Sequence, residues 1–245
     1  MFTRNTFWIA EFGIAAGMSE AAKSVIRAEV LPAARAGESQ LDEQIWFAND
    51  DGSRFLQFAS FQTPDAAAHH HQWAQGLSAA KGFRALCESR DVKIAGPRPQ
   101  KDHPLIREAT GHFNEISRHE QSRRIPFGRN LFYVLELACE PRHAEAVKEM
   151  IATEFTPRVA SADPDIEEYV WFMNDSRDRF LQLASYGSAE GVLIHHRTSY
   201  GTERVARLFG ISRLENAKIF GVMSREVSVA YAAPLFMHYS EFARL

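Results

Sequence analysis

The sequence contains itself twice. Residues 45–61 read IWFANDDGSRFLQFASF and residues 170–186 read VWFMNDSRDRFLQLASY; at an offset of 125, ten of the seventeen positions are identical. They include Trp46/Trp171, Asn49/Asn174, Arg54/Arg179 and Gln57/Gln182. The same offset, without a gap, pairs residues 7–12 (FWIAEF) with 132–137 (FYVLEL), Pro32 with Pro157, and Lys93-Ile94 with Lys218-Ile219. It also pairs His70-His71 with His195-His196. Several matches in one register mark a tandem duplication. The period is too long for a solenoid repeat and suits a small domain. The expected organisation is repeat 1 over 1–97, a connector over 98–125, repeat 2 over 126–222 and a tail over 223–245.

Within each repeat the pattern predicts β-α-β-β-α-β. Phe7 to Phe12 is aromatic and β-branched, as a strand requires. Ser19 is a candidate N-cap for a helix with Ala22, Val25, Ile26 and Val30 inward, and Pro32 is expected at its end or in its last turn. Asn49-Asp50-Asp51-Gly52 signals a hairpin between two strands. Thr63-Pro64-Asp65 opens a second helix, with a break expected near Gly76 or Gly82. A fourth strand, residues 91–95, closes the repeat. In the connector, Leu105, Ala109, Phe113 and Ile116 recur at helical spacing and predict one short helix. The tail, aromatic through Tyr231, Phe236, Tyr239 and Phe242, is expected to pack on the body. This is a ferredoxin-like α+β unit, occurring twice. Its strands are apolar on both faces, so each sheet needs a cover beyond its own helices. The expected architecture is an intrachain pseudo-dimeric α+β barrel.

Composition narrows the function classes. With 28 Lys+Arg against 31 Asp+Glu, there is no counterion-driven grip on nucleic acid. The two cysteines are too few for a disulfide framework and lack zinc-ligand spacing. The first residues lack the parts of a signal peptide, and no apolar run approaches the roughly 18 residues of a membrane helix. A cytoplasmic protein, not bound to membrane, is expected.

Arg54-Phe55-Leu56, followed by Thr63-Pro64-Asp65-Ala66-Ala67 and His70, resembles the antibiotic biosynthesis monooxygenase family. Arg179-Phe180-Leu181, Ser188-Ala189-Glu190 and His195 repeat the pattern. The resemblance implies a dimeric α+β barrel, here fused into one chain, and cofactor-independent oxygenation of quinols or polycyclic phenols. One branch of the family degrades haem through an Asn, a Trp and a His; the corresponding positions here are Phe12/Leu137, His70/His195 and Ala80/Val205, so that triad is absent.

His70 and His195 are the candidate catalytic groups. Ala66, His70, Trp73, Leu77 and Ala80 form one helical stripe, as do Val192, His195, Thr202 and Val205. A histidine there can act as a base toward a phenol near neutral pH, or can tie helix to sheet as a hydrogen-bonded core imidazole. His69-His70-His71 cannot converge on one ion, because successive helical residues point about 100° apart; no metal is expected. Trp46, Trp73, Trp171 and Tyr200 are candidate aromatic walls for a flat substrate, or core. Gln57 and Gln182, amides in mid-strand among aromatics, need partners across the pseudo-two-fold or from a ligand. Trp73 faces Thr198 between the copies, so one pocket is expected to work and the other to be filled or repurposed. Three readings follow: a cofactor-independent monooxygenase using dioxygen on a small aromatic, phenolic or quinol substrate in a barrel cavity; a non-catalytic binder of an apolar ligand or haem; or a structural fused barrel. Further pairing of the fused chain into a homodimer is left open.

Overall fold

The computed structural model describes residues 6–97, 109, 111–120, 131–199, 201–221, 223–231 and 236–244. Contacts divide the chain into an N-terminal unit, residues 2–112 with 240–245, and a C-terminal unit, residues 113–239. Both are mixed α+β.

The N-terminal unit runs β1 (Thr6–Ile14), α1 (Ser19–Val25), a π-turn (Ile26–Val30), α2 (Leu31–Gly37), β2 (Leu41–Asn49), β3 (Arg54–Phe61), α3 (Pro64–Gly76), α4 (Ser78–Arg84) and β4 (Cys87–Ala95). β1 is central, antiparallel to both β3 and β4, and β2 lies outside β3. That order, β4-β1-β3-β2, is the ferredoxin-like arrangement predicted from the sequence.

After β5 (Gly111–Glu120), the C-terminal unit repeats the series: β6 (Leu131–Cys139), a 3-10 turn (Pro141–His143), α5 (Ala144–Met150), a π-turn (Ile151–Phe155), α6 (Thr156–Ala162), β7 (Ile166–Asn174), β8 (Arg179–Tyr186), α7 (Ala189–Ser199), α8 (Glu203–Ile211) and β9 (Ser212–Phe220). α9 (Arg225–Ala230) and β10 (Phe236–Arg244) follow. The order β9-β6-β8-β7 matches the first unit; β5 adds antiparallel to β7, and β10, through Phe236–Tyr239, adds parallel to β9.

The duplication extends to hydrogen-bond register. Trp46 pairs with Gln57 and Trp171 with Gln182, and the same irregularity falls at Leu41/Glu43 and at Ile166/Glu168. It extends to the first helix too. Pro32 and Pro157 do not end it. A proline has no N–H and its ring crowds the carbonyl one turn back. Here a wider π-turn precedes each proline: Leu31 N–H bonds Ile26 O, and Thr156 N–H bonds Ile151 O. The extra residue in the turn accommodates the ring, and the helix continues.

Other local expectations are met or corrected by identifiable contacts. Thr63 caps α3, its hydroxyl accepting from Ala66 N–H at 3.1 Å. Ser19 is not a cap but the first helical residue, after Met18. The break after Gly76 comes from Leu77, in extended conformation (ψ 126°) between α3 and α4. In the connector the described stretch is strand β5, not helix; Leu105 lies outside the described residues. The ladder from β5 to β7 skips Ile116, a β-bulge, which places apolar residues three apart and imitates helical spacing. Contacts place the division between units at 112/113 and 239/240, within β5 and β10. In the tail, Val227 and Tyr231 are buried in the C-terminal core, while Ala243 joins the N-terminal one.

Each unit has a core between the helices and one face of its sheet. In the first unit that face carries Trp8, Phe12, Trp46, Phe55, Ala59 and Phe61; in the second, Tyr133, Leu137, Trp171, Phe180, Ala184 and Tyr186. Trp46 and Trp171 therefore face the helices. The opposite strand face, with Phe7, Phe47, Leu56 and Phe58, is buried as well.

Both hairpins turn through a left-handed residue. Gly52 has φ +70° and its repeat counterpart Arg177 has φ +58°. A Cβ at Gly52 would also stand 2.5 Å from Ser19 Oγ. A side chain in this backbone region costs about 1–2 kcal/mol. Gly52→Ala is therefore expected to lower stability by about 1–2 kcal/mol in urea unfolding, with an unchanged m-value.

Candidate functional site

Each unit holds a cavity of about 50 Å³ between the helix-facing side of its sheet and its helices. The two correspond in detail. Of the twelve residues lining the second, eleven stand 125 positions after a residue lining the first: Trp8/Tyr133, Phe12/Leu137, Val30/Phe155, Gln44/Tyr169, Trp46/Trp171, Gln57/Gln182, His70/His195, Ala74/Ser199, Ala80/Val205, Phe83/Leu208 and Arg84/Phe209. Val30 and Phe155 are the last residues of the two π-turns. The π-turns thus help to shape the cavities as well as accommodate the prolines.

His195 is buried, and its Nδ1 lies 2.6 Å from Asp163 Oδ2. Asp163 is buried as well, and its second oxygen, Oδ1, accepts from Thr198 Oγ1 at 3.2 Å. A carboxylate accepts only, so the imidazole carries a proton on Nδ1, and in the neutral ring Nε2 has the lone pair. Nε2 makes no hydrogen bond among the described residues. The carboxylate sits just past the C-terminus of α6, where the helix dipole disfavours negative charge. His195 and Thr198, not the helix, account for an aspartate there.

The first unit has the same parts, unassembled. Glu38 stands 125 positions before Asp163, with the same backbone (φ −119°, ψ 84° against −114°, 80°) after α2. Its Oε1 is 3.7 Å from His70 Nδ1, beyond hydrogen-bond range, and both atoms are buried without a hydrogen-bond partner. Trp73 stands where the second unit has Thr198, its ring 5.6 Å from that of His70. The indole takes the space of the hydroxyl that steadies Asp163.

The structure brings the sequence candidates together in two groups. His70, Trp46, Gln57 and Trp73 line the first cavity; His195, Trp171 and Gln182 line the second. Tyr200 lies outside the described residues. Gln57 and Gln182 face the cavities, and Gln182 Nε2 is buried without a partner. Each cavity lies within its own unit, under the helices. Asn49 and Asn174 are turn residues: their Oδ1 atoms accept from Arg54 N–H at 2.9 Å and Arg179 N–H at 3.0 Å. Arg54 pairs with Glu11 at 3.0 Å on the adjacent strand.

Sequence reasoning missed Asp163, Glu38, Tyr169 and Gln44. The offset of 125 carried the signal for the first two, since it pairs one acidic residue with another. Tyr169 gave none. It is fully buried against the second cavity, and burial, with a smaller push from the Asp163 charge, holds its phenol above the usual range and therefore protonated. Chemically, the second cavity offers a lone-pair nitrogen backed by a carboxylate, a phenol and an amide donor, within apolar walls. At about 10–15 Å³ per water, 50 Å³ holds a few waters. A ring such as benzene needs roughly 150 Å³, so this space admits one only if lining groups move. Phe209, 40% exposed, is the one best placed to yield.

Breaking a buried pair by removing one partner costs about 3–5 kcal/mol. Asp163→Ala is expected to lower unfolding free energy by about 3 kcal/mol, and Glu38→Ala by less than about 1 kcal/mol. Urea titration of the two variants measures the difference. Equal losses would mean the dyads do not differ.

No family model and no curated protein matches the sequence. Solved structures match its fold. A protein of Lactobacillus acidophilus NCFM, provisionally named a monooxygenase, superimposes with a TM-score of 0.54 at 14% identity, over 88% of this chain and 91% of that one. A second provisionally named monooxygenase, from Fusobacterium nucleatum, gives 0.58 at 10% identity over 89% and 91%. An anthrone oxidase-like protein gives 0.50 at 9% over 88% and 93%. Nearly the whole chain thus has the fold of these proteins.

Proposed function

We propose that the C-terminal cavity is the active site of a monooxygenase that acts on a small phenol or quinol with dioxygen and needs no resident cofactor. The reading rests on one observation: the Asp163–His195 pair, bonded through Nδ1 at 2.6 Å, in the lining of a cavity shared with Trp171, Tyr169 and Gln182. His195 Nε2 takes a proton from the substrate, and Asp163 stabilises the imidazolium that results. The substrate anion is electron-rich enough to reduce dioxygen. With an anthrone-like substrate, carbon bonds to oxygen as a hydroperoxide. That species loses water by O–O cleavage, so CH2 plus O2 becomes C=O plus H2O. The Tyr169 phenol and the Gln182 amide are donors for the negative charge that builds on the substrate oxygen. The likeness in fold to an anthrone oxidase-like protein agrees with this class.

The intrachain pseudo-dimeric barrel expected from the repeat belongs to the same proposal, each unit contributing one site. The alternative reading, non-catalytic binding of an apolar ligand or haem, predicts a Soret band on adding haem and no oxygen uptake.

Oxygen uptake with anthrone tests the reading. Wild-type protein should consume oxygen above the buffer rate. His195→Ala should lower kcat by roughly 10²-fold or more, and Asp163→Asn should lower kcat more than it raises KM. His70→Ala should keep most of the activity. No uptake by the wild type, or an unchanged rate in His195→Ala, would remove the role.

A further inference from the structure

We propose that the N-terminal cavity is a separate binding site for a short-chain carboxylate of about the size of acetate. This goes beyond the activity assigned to the other cavity and does not depend on it.

The first observation is a difference in register. In the C-terminal unit the ladder between β6 and β9 skips Glu215, setting Leu137 against Leu214. Glu215 instead accepts from Arg213 Nε at 2.9 Å and takes no part in the cavity. In the N-terminal unit the ladder runs regularly past this point, and Phe12 pairs with Arg90. The regular register brings Arg90 into the cavity lining. Its guanidinium lies 5.2 Å from the Trp8 ring centre and 5.8 Å from that of Phe12. With Arg84, which also lines it, the cavity thus carries two arginines where its twin carries none.

The second observation is a group of buried polar atoms without partners on the same lining. Gln44 is fully buried, and neither its Nε2 nor its Oε1 makes a hydrogen bond. The Nε1 atoms of Trp8 and Trp46 are likewise buried and unpartnered. Leaving such groups unmade costs about 1–3 kcal/mol each, and native structures rarely tolerate several together. A ligand that accepts hydrogen bonds would relieve them. Three N–H donors beside a guanidinium suit a carboxylate, which can take a forked bond from arginine and further bonds on its remaining lone pairs.

Size and chemistry then select within that class. A space of about 50 Å³ corresponds to a few waters, which admits acetate and excludes a ring unless side chains move. Phe12 and Phe83 supply an apolar wall for a methyl or ethyl group. Proton abstraction is not built in, because Glu38 stands 3.7 Å from His70 without a bond. The first cavity therefore fits a binding site better than a second copy of the reaction centre.

Three of the four tryptophans, Trp8, Trp46 and Trp73, line this cavity, and the fourth, Trp171, lines the other. Intrinsic fluorescence of the Trp171→Phe protein thus reports the proposed site. Titration with sodium acetate should give a saturable change with a Kd of about 1 mM or tighter, not reproduced by sodium chloride at equal ionic strength. In the same background Arg90→Met should weaken binding by about tenfold or more, and Arg90→Lys should weaken it less. Gln44→Leu, which keeps the charge, should also weaken it. Asp163→Asn should leave it unchanged. Thermal unfolding of each variant establishes that it is folded. A linear response to acetate, a response equal to that of chloride, or an affinity unaltered by Arg90→Met would overturn the assignment. None of these readouts involves oxygen uptake, so the two proposals fail separately.

Discussion

A carboxylate and an imidazole buried against each other are stable only as a pair. Either one alone in that position would be a desolvated polar group with nothing to answer it. Asp163 and His195 meet that requirement at 2.6 Å, and Thr198 occupies the other carboxylate oxygen. The functional reading depends on this contact, because it fixes which imidazole nitrogen carries the proton and which keeps a lone pair. The fold provides it from two elements. α6 ends at Asp163, α7 carries His195 and Thr198 one turn apart, and Trp171 and Gln182 form the sheet side of the cavity.

The same scaffold in the first unit shows how little separates an assembled dyad from an unassembled one. The backbone around Glu38 matches that around Asp163, and His70 occupies the place of His195. What differs is one methylene in the acid, an indole where a hydroxyl stood, and a strand register that admits Arg90 but leaves Glu215 outside. Duplication supplies two equivalent cavities, and small changes give them different chemistry. A fold can host several functions by such changes at its sites.

Much of this was legible in the sequence, for particular reasons. Ungapped identity at one offset gave the two units. Gly52 and Thr63 gave the hairpin and the helix start, because turns and caps depend on a few local atoms. Helical spacing put His70, Trp73 and Ala80 on one stripe, and all three line the cavity. The failures have physical causes too. Pro32 looked like a helix end because a π-turn has no residue signature. Phe113 and Ile116 imitated a helix because a bulge shifts strand spacing from two to three. The cavity face could not be assigned from strands apolar on both sides; only the helices packed over Trp46 and Trp171 decide it. Asp163 escaped notice because its partner lies 32 residues away, with no local motif joining them.

The most direct measurement is a long-range proton–nitrogen NMR spectrum of the histidine side chains. For His195 it should show a proton on Nδ1, shifted strongly downfield by the carboxylate, and that signal should vanish in Asp163→Asn. His70 should lack that downfield proton. A His195 ring protonated on Nε2 instead, or spectra that make the two histidines alike, would contradict the account.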